Sequence, residues 1–449
     1  MQRVSEVPAA VLRRVVGPAL KHVPLTRAAV RGSMNAIFRV ALLPFGRNRP
    51  RGAAREAPDL IAGTDRLNRA AEHYYTAFDE TAFLLGKPFT DELSLPRHLF
   101  SLGVLLDGLR LRRSDVVIEF GAGTCWVSHF LNRFGCRTIS LDVSGTALNL
   151  GKQLFDRDPN TNWSLEPEFL AYDGRRIPLA DGSCDKIIVF DAFHHVPNQR
   201  EILCEFRRVL KADGIVAMSE PGRGHAATQA SQNEVSKYGV LENELVVEDL
   251  AALALDCGFA AANLIVASPD AAWEIPARDL GPFIQGKGFT RFWEHHSDAL
   301  LAGHYILLYK GDPRPTTRQP KAIGAHIQLA NGSKRLTVKA GSSLPIRLKL
   351  TNTSETRWLG GRRDDGGWTR LGGHLYRVDT ERHLVDFDWL RVELPQDVDQ
   401  HKTIALTVEM PPMASPGTYE VVFDLVIEGV TWFADRGSMT ATAIVDVRA

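Results

Sequence analysis

The stretch Val116-Val-Ile-Glu-Phe-Gly-Ala-Gly-Thr124 decides the fold of this chain. Its apolar and β-branched residues predict a buried parallel strand over 116–120, and the glycines form a turn that opens a helix near Thr124. Glycine lets the backbone come close to a ligand, because it has no side chain to clash and tolerates unusual dihedral angles. Asp142 ends the next apolar run, where nucleotide-binding folds place a carboxylate for ribose hydroxyls.

The glycine turn departs from the dinucleotide-binding pattern G-x-G-x-x-G at its last position. Trp126 stands where the third glycine belongs, and a side chain of that size would obstruct the close approach of strand and helix. Glu119 precedes the glycines, and the pattern is E-x-G-x-G-T instead.

This pattern resembles motif I of the class I S-adenosylmethionine (SAM)-dependent methyltransferases. Further blocks follow in the order and spacing typical of the small-molecule branch of that family, at residues 140–144, 172–174, 184–196 and 205–214. The resemblance covers roughly residues 110–225 and implies a Rossmann-like fold with S-adenosyl-L-methionine as the cofactor.

Strand and helix signals alternate from residue 116 to residue 309, which predicts an α/β domain with a Rossmann-like, seven-stranded, mostly parallel sheet. The predicted strands are 116–120, 137–142, 166–172, 185–190, 214–219, 262–268 and 303–309. The predicted helices are 64–85, 96–110, 124–134, 145–156, 198–210 and 246–257. Ser144 and Asn198 are the predicted N-caps of two of these helices.

The resemblance assigns one part of the cofactor site to the ends of the first two strands. Glu119 is expected to order the glycine loop or to reach the methionine amino group. Gly121 and Gly123 would bring backbone N–H groups to the cofactor. Asp142 would accept hydrogen bonds from both ribose hydroxyls, or it is a solvated turn acid.

The resemblance assigns further cofactor contacts to the later blocks. Asp173, beside Gly174, would accept a hydrogen bond from the adenine amino group, with a solvated turn acid as the alternative. Phe190 and Asp191 end the fourth strand, at the carboxyl edge where open α/β sheets bind their ligands.

The candidate catalytic residues follow the fourth and fifth strands. His194 and His195 stand where the family often has a histidine, which could accept a proton from a substrate hydroxyl. Alternatively, one of them packs or hydrogen-bonds to hold its loop. Glu220, Arg223 and His225 come after the fifth strand, and Arg223 could clamp a phosphate or carboxylate. No acidic pair indicates a magnesium site, so no metal is expected.

Two aromatic segments flank the predicted sheet. Tyr74, Tyr75 and Phe78 lie on a helix of the kind that partly covers the SAM pocket in the family, so they face the ligands or pack in the core. An insertion over 269–303 holds seven aromatic or histidine side chains and either caps a substrate pocket or forms a small satellite core.

The composition changes near residue 311, and beyond it apolar and polar residues alternate with a period of two. About seven short strands with turn signals between them predict an immunoglobulin-like β-sandwich. The predicted domains are a basic N-terminal arm (1–57), a methyltransferase domain (58–312), a linker (313–323) and the sandwich (324–449). The sandwich resembles modules appended to bacterial enzymes of surface-polysaccharide loci.

The predicted sandwich is rich in aromatic and charged residues, which stack on sugar rings when they are exposed and fill the core when they are buried. The candidates are Trp358, Trp368, Asp386, Asp388, Trp389, Arg391, Glu428, Trp432 and Phe433. Trp368 is expected to be the most exposed, because it lies in the Gly- and Asp-rich loop 360–373.

Charge is distributed unevenly along the chain. Residues 1–55 hold eleven basic residues and one acid, a formal charge of +10, so the other 394 residues carry −10 and the whole chain is neutral. Overall neutrality gives no sign of nucleic-acid binding. The arm is too often interrupted by arginine to span a bilayer, but it could lie on an anionic membrane or form a loosely docked tail.

The five cysteines are scattered without a C-x-x-C pair, which favours a reducing cytosol over secretion. A cytoplasmic location is therefore predicted, either free or peripheral at the inner face of the membrane.

Three functions agree with these patterns. The first is a SAM-dependent methyltransferase that methylates a hydroxyl of a cell-surface glycan or of its lipid-linked precursor. The second is a methyltransferase of a free small metabolite, with the sandwich used to form a homo-oligomer. The third is a non-catalytic scaffold that retains the fold, and the intact glycine loop and acids argue against it.

Overall fold

The computed structural model describes residues 57–77, 81–330, 334–363, 366–379 and 381–449. The basic arm predicted over residues 1–57 lies outside these residues except for Ala57, and Phe78 lies outside them as well. Contact of the arm with a membrane therefore stays a prediction. Within the described part of the chain, no helix is both long and apolar enough to cross a bilayer.

A seven-stranded sheet dominates the described residues up to 309. Its strands are β1 (Val116–Phe120), β2 (Arg137–Asp142), β3 (Glu168–Ala171), β4 (Cys184–Phe190), β5 (Leu210–Pro221), β6 (Ala261–Ile265) and β7 (Gly303–Tyr309). They lie in the order β3-β2-β1-β4-β5-β7-β6. The first five strands pair in parallel, whereas β7 lies antiparallel between β5 and β6. The predicted mostly parallel sheet is confirmed.

Helices precede the sheet and connect its strands. They are α1 (Ala57–Ala77), α2 (Thr81–Leu85), α3 (Ser94–Leu109), α4 (Trp126–Phe134), α5 (Gly145–Arg157), α6 (Gln199–Val209), α7 (Gln229–Tyr238), α8 (Val247–Asp256), α9 (Leu280–Ile284) and α10 (Phe289–Ala302). Within the helix predicted over 64–85, the described residues form α1 and α2. Central strand residues such as Val117 and Ile118 are fully buried, as expected for a parallel sheet covered on both faces.

The two predicted helix caps have different outcomes. The Ser144 hydroxyl accepts a hydrogen bond from the Ala147 N–H at 3.1 Å and caps α5 as predicted. Asn198 occupies the cap position of α6, but its side chain makes no cap hydrogen bond. Its side-chain amide instead donates to the carbonyl of Gly174 at 3.1 Å and to the Glu201 carboxylate. These hydrogen bonds connect the start of α6 to the loop after β3.

A disulfide joins Cys204 on α6 to Cys257, which directly follows α8. The two cysteines are 53 residues apart, and the packing of α8 against α6 brings them together. This pairing disagrees with the expectation of a reducing compartment, which rested on spacing alone. The cytoplasmic location stays a prediction.

The remaining residues form an all-β region of two sheets. Its strands are β8 (Ala325–Leu329), β9 (Arg335–Lys339), β10 (Leu344–Asn352), β11 (Thr369–Arg377), β12 (His383–Glu393), β13 (Thr403–Met410), β14 (Gly417–Ile427), β15 (Thr431–Trp432) and β16 (Ala441–Arg448). One sheet has the order β13-β10-β8 and the other β12-β11-β14-β16-β9, with β15 added to β14. Inner residues of both sheets, such as Leu348 and Phe423, share one apolar core. Sequence patterns predicted fewer strands, since β9 and β15 are too short to alternate clearly.

Most of the aromatic candidates in this region pack in its hydrophobic core or against it. Trp358 and Phe433 are fully buried, with ring centroids 5.6 Å apart. Trp368, the tryptophan expected to be most exposed, is partly buried, as are Trp389 and Trp432. Its loop folds back on the sheet, where Trp368 forms a bridge with Leu359 and its carbonyl accepts a hydrogen bond from the Glu428 N–H.

The predicted linker over 313–323 is fastened to the α/β region by side chains. The Arg110 guanidinium donates to the carbonyl of Pro313 at 2.6 Å. Arg318 pairs with Asp213 on β5 at 3.1 Å, and Lys321 pairs with Asp107 on α3 at 3.0 Å. These contacts are exposed, so each contributes little stability. The predicted domain boundaries stay predictions.

Candidate active site

A cavity of about 840 Å³ opens at the carboxyl ends of β1, β2, β4 and β5. Each parallel strand delivers the loop that follows it to this edge, which is why α/β sheets bind ligands there. Residues of α1 and α3 and the loop after α7 complete the wall. The volume lies in the range of small-molecule sites.

The glycine loop is shaped by two left-handed backbone conformations. Gly121 has a φ of 66° and Gly123 a φ of 49°. A Cβ at Gly121 would lie 2.4 Å from Ala192, and one at Gly123 would lie 2.6 Å from the Tyr75 hydroxyl. Only glycine fits at either position.

The N–H groups of this loop are already paired. Gly121 donates to the carbonyl of Leu141 at 2.9 Å, and Gly123 donates to the Asp142 carboxylate at 2.8 Å. The expectation that both N–H groups point to the cofactor is therefore wrong. They tie the loop to β2 instead.

Asp142 lies at the end of β2 and lines the cavity, with 7% of its surface exposed. Its two oxygens accept hydrogen bonds from different backbone groups, the Gly123 N–H and the Ser144 N–H, each at 2.8 Å. Burial raises the pKa of this carboxyl group, and the two N–H donors oppose that rise. Because a carboxylate oxygen has two lone pairs, each oxygen retains one acceptor position.

Asp173 is placed differently from Asp142. Its side chain is exposed, and its Oδ1 accepts hydrogen bonds from the N–H groups of Arg175 and Arg176 at 2.9 and 3.0 Å. It does not line the large cavity, whereas its neighbour Gly174 does. Asp173 therefore does not share this cavity with Asp142, and its hydrogen bonds are those of the turn acid named as the alternative to the adenine contact.

Glu119 is buried beneath the glycine loop and does not line the cavity. Its carboxylate accepts a hydrogen bond from the Ser128 N–H in the first turn of α4 at 2.7 Å. This contact satisfies a free helix N–H and agrees with the loop-ordering role, not with contact to the methionine amino group. Burial raises the pKa of Glu119 to about 7.

The raised pKa of Glu119 predicts a specific pH dependence of stability. The protonated form is favoured in the folded state, so its stabilising effect is complete below the ordinary value of 4.5 and is lost as the pH rises through about 7. Between pH 5 and pH 8 we expect the unfolding free energy of the natural protein to fall relative to Glu119→Gln, by at most about 3 kcal/mol. Urea unfolding at both pH values measures this difference, and parallel curves for the two proteins would contradict it.

Phe190 and Asp191 both line the cavity at the end of β4. The Phe190 ring packs against Trp126, with centroids 5.0 Å apart, so the tryptophan that replaces the third glycine supports the cavity wall. Asp191 has a φ of 48°, a strained conformation for a residue with a side chain. Its carboxyl group lines the cavity. Desolvation by the surrounding protein and the charge of the nearby Glu220 raise the pKa of this group to about 7.

A buried carboxylate, Glu220, organises the segment after β4. It accepts hydrogen bonds from the backbone N–H groups of Ala192, Phe193 and His194 at 3.2, 2.8 and 3.2 Å. It also lies 2.8 Å from His194 Nδ1. Burial lowers the pKa of His194 to about 4 and raises the pKa of Glu220 to about 7, so the imidazole is neutral in this contact.

His195 is also tied into the loop. Its Nδ1 contacts the carbonyl of Leu241, and burial lowers its pKa. Both His194 and His195 therefore have the holding role that the sequence left open as the alternative. Both still line the cavity.

Glu242 was missed by the sequence analysis, although it lines the cavity beside the histidines. Its carboxylate lies 2.7 Å from His225 Nε2 and 3.7 Å from His194 Nε2. The residue lies in the loop after α7, outside every motif block, so no sequence pattern marked it.

Basic side chains line another part of the cavity. Arg97 on α3 pairs with Asp270 at 3.1 Å. Lys87 and Arg223 also line the cavity and have no ion pair within the described residues. These cations suit a phosphate or carboxylate, as was expected for Arg223.

The two aromatic segments contribute unequally to the cavity. Tyr74 and Tyr75 line it, and burial raises the pKa of Tyr74 to about 12. In the insertion, Trp273, Phe292 and His296 pack on one another as a satellite core. The insertion reaches the cavity mainly through small residues such as Ala299.

Comparison with known proteins places a family domain over the central part of this sheet. Residues 118–218 match the family described as a methyltransferase domain. The chain is 30% identical over 155 residues to a malonyl-(acyl-carrier protein) O-methyltransferase of Marinomonas sp. (strain MWYL1), covering 34% of this chain and 53% of that protein. It is 26% identical over 114 residues to a dimethylglycine N-methyltransferase of Parasynechococcus marenigrum (strain WH8102), covering 25% and 39%.

Among solved structures, the phosphoethanolamine N-methyltransferase 2 of Haemonchus contortus, with phosphomonomethylethanolamine and S-adenosylhomocysteine bound, aligns with a TM-score of 0.37 and 14% identity. The alignment covers 54% of this chain and 59% of that one. This chain spans about half the length of the curated relatives it matches, or less.

Proposed function

We propose that this protein is a SAM-dependent methyltransferase that methylates a hydroxyl group of a small polar molecule. The proposal starts from the methyltransferase domain matched by residues 118–218. S-adenosylmethionine is the cofactor of that domain. One observation carries the proposal: Asp142 at the end of β2 and Asp191 after β4, the two strands on either side of β1, line the same cavity. In this proposal Asp142 binds the cofactor and Asp191 acts on the acceptor.

The residues of the cavity fit SAM. The Asp142 carboxylate retains acceptor positions that suit two ribose hydroxyls. Backbone approaches the ligand space at Gly121 and Gly174, where φ is positive, and a Cβ at Gly174 would lie 2.8 Å from Asn68. The aromatic rings of Tyr74 and Tyr75 form part of the wall.

SAM supplies a methyl group that is already electrophilic on its sulfonium, so the protein mainly positions the reactants. With SAM bound, Asp191 would take the proton of the acceptor hydroxyl. The acceptor oxygen would then bond to the methyl carbon as the bond from that carbon to the sulfonium sulfur breaks, which would release S-adenosylhomocysteine. Lys87 and Arg223 hold an anionic group of the acceptor. The covering helix α1 limits the access of water.

The methylation activity is tested by the release of S-adenosylhomocysteine from SAM in the presence of pooled hydroxylated small molecules and saccharides. With an active pool, the rate is expected to rise with pH through about 7, because the Asp191 carboxylate must lose its proton to act as a base. Asp191→Asn should lower kcat by about 10² to 10⁴ and flatten the profile. A variant profile that keeps the rise near pH 7 would assign the base to another group.

We further propose that the acceptor is a saccharide and that the all-β region helps to bind it. Phe387 on β12 is 48% exposed, and its ring packs against His374 and Trp432, with centroids 4.3 and 5.3 Å away. The exposed part of such an aromatic ring can stack on a sugar ring. The resemblance of the sequence of this all-β region to modules of surface-polysaccharide enzymes agrees with the same substrate class.

Glycan-array binding by the full-length protein tests the saccharide proposal. Phe387→Ala is expected to weaken binding of any retained glycan about fivefold, since one stacked ring contributes about 1 kcal/mol. Leu384→Ala is the matched control, because Leu384 lies on the same strand and is equally exposed at 48% but has no ring. Equal loss in both variants, or no retained glycan, would favour a free metabolite as the acceptor.

A further inference from the structure

Three side chains in the cavity converge on one point. His194, His225 and Glu242 each offer a ligand atom, and all three atoms lie within 4.8 Å of one another. The Glu242 carboxylate is 2.7 Å from His225 Nε2 and 3.7 Å from His194 Nε2. A tetrahedral ion with bonds of about 2.0–2.1 Å spaces its ligand atoms about 3.3 Å apart, a value that lies between these two distances.

The His194 imidazole is oriented by a second carboxylate. Its Nδ1 lies 2.8 Å from Glu220 Oε2, and three backbone N–H groups fix that carboxylate in place. With the Nδ1 proton donated to Glu220, the Nε2 lone pair faces Glu242. Histidines that bind metals usually have such a carboxylate behind them.

The Glu242 carboxylate is buried without a fixed cation. Only 3% of its side chain is exposed, and its ion pairs within the described residues are with His194, His195 and His225 alone. A buried carboxylate is stabilised by a compensating positive charge, and a metal ion bound beside it would supply that charge. The Asn243 N–H, which donates to the carbonyl of His194 at 3.3 Å, holds the Glu242 loop against the histidines.

We propose that His194, His225 and Glu242 bind one divalent transition-metal ion in the cavity, with an open coordination position for an oxygen of the methyl acceptor. Two imidazoles and one carboxylate suit Zn²⁺, Fe²⁺ or Co²⁺, whereas Mg²⁺ and Ca²⁺ prefer sites made of oxygen ligands alone. The role of the open position rests on the proposed methyltransferase function, but the binding of the ion does not.

Metal titration of the full-length protein tests this proposal. After treatment with EDTA and dialysis, Zn²⁺ is added in a calorimeter and Co²⁺ in a spectrophotometer. We expect one ion per chain and a visible Co²⁺ band that excess Zn²⁺ abolishes. His225→Ala and Glu242→Gln should weaken binding more than tenfold, and Glu220→Gln about 10- to 100-fold through the orientation of His194. His326→Ala, which removes an exposed histidine of β8, is the matched control and should bind as the natural protein does.

The outcomes of this experiment test the metal site independently of the proposed methyltransferase function. Affinity for SAM, measured on the same variants, shows that each one is folded. SAM binding without saturable Zn²⁺ or Co²⁺ binding would overturn the metal site and leave the methyltransferase in place. Metal binding that is equal in Glu242→Gln and His326→Ala would also overturn the site. Metal binding lost only in the cavity variants would establish it, even if no acceptor is methylated.

Discussion

Replacing Asp142 by alanine is expected to weaken SAM binding at least about 100-fold, since hydrogen bonds to a charged group contribute about 1.5–3 kcal/mol each and two ribose hydroxyls are involved. The variant also frees the Gly123 and Ser144 N–H groups that the carboxylate now holds at 2.8 Å. The glycine loop therefore loses its tie to β2 together with the ligand contact. Calorimetric titration with SAM and with S-adenosylhomocysteine measures both affinities.

Asp173→Ala is the matched control for this experiment. It removes the acid that follows the next strand, but this carboxylate is exposed and bonds to the Arg175 and Arg176 N–H groups outside the large cavity. We expect its effect on SAM affinity to be less than about threefold, which is typical of a surface substitution. A loss in Asp173→Ala as large as that in Asp142→Ala would restore the adenine contact first expected for Asp173. No heat with either ligand for the natural protein would favour the non-catalytic scaffold.

Replacing Glu220 by alanine is expected to cost about 3–5 kcal/mol of unfolding free energy, because each buried donor left without a partner costs about 1–3 kcal/mol. The donors are the N–H groups of Ala192, Phe193 and His194, and Glu220 has 2% of its surface exposed. The segment after β4 should lose its fixed shape, so methyl transfer should fall together with stability.

Urea unfolding measures the effect of Glu220→Ala, with Glu244→Ala as the control for loss of a carboxylate at an exposed position. Glu220→Gln keeps an acceptor oxygen for the N–H groups and should lose much less stability than the alanine variant. The role given to Glu220 fails if the alanine and glutamine variants unfold at the same urea concentration as the natural protein.

The sheet was predictable because its signals are local. The apolar residues from Val116 to Phe120 predicted a buried strand, and the structure has that strand as β1. Asp142 ends β2, as the pattern indicated. The cap by Ser144 was equally predictable, since an N-cap bonds to the third residue that follows it. Alternation with a period of two likewise revealed the all-β region.

Other expectations failed where the partner lies far along the chain. The Gly121 and Gly123 N–H groups found acceptors on β2, so they are not available to a ligand. Asn198 bonds to Gly174 and does not cap its helix, and Cys204 pairs with Cys257 across 53 residues.

The sequence by itself determined the order of strands and helices, the position of the glycine turn and the acid that ends β2, because hydrophobic period and turn chemistry act over a few residues. Only the tertiary structure decided which side chains share a cavity. In that structure Asp173 lies outside the cavity, whereas Glu242, from a loop with no recognisable motif, lies beside His194 and His225. The physical reason is that a buried charge is stabilised by whatever groups surround it in space, and the chain reaches those groups only after its helices have packed on the sheet.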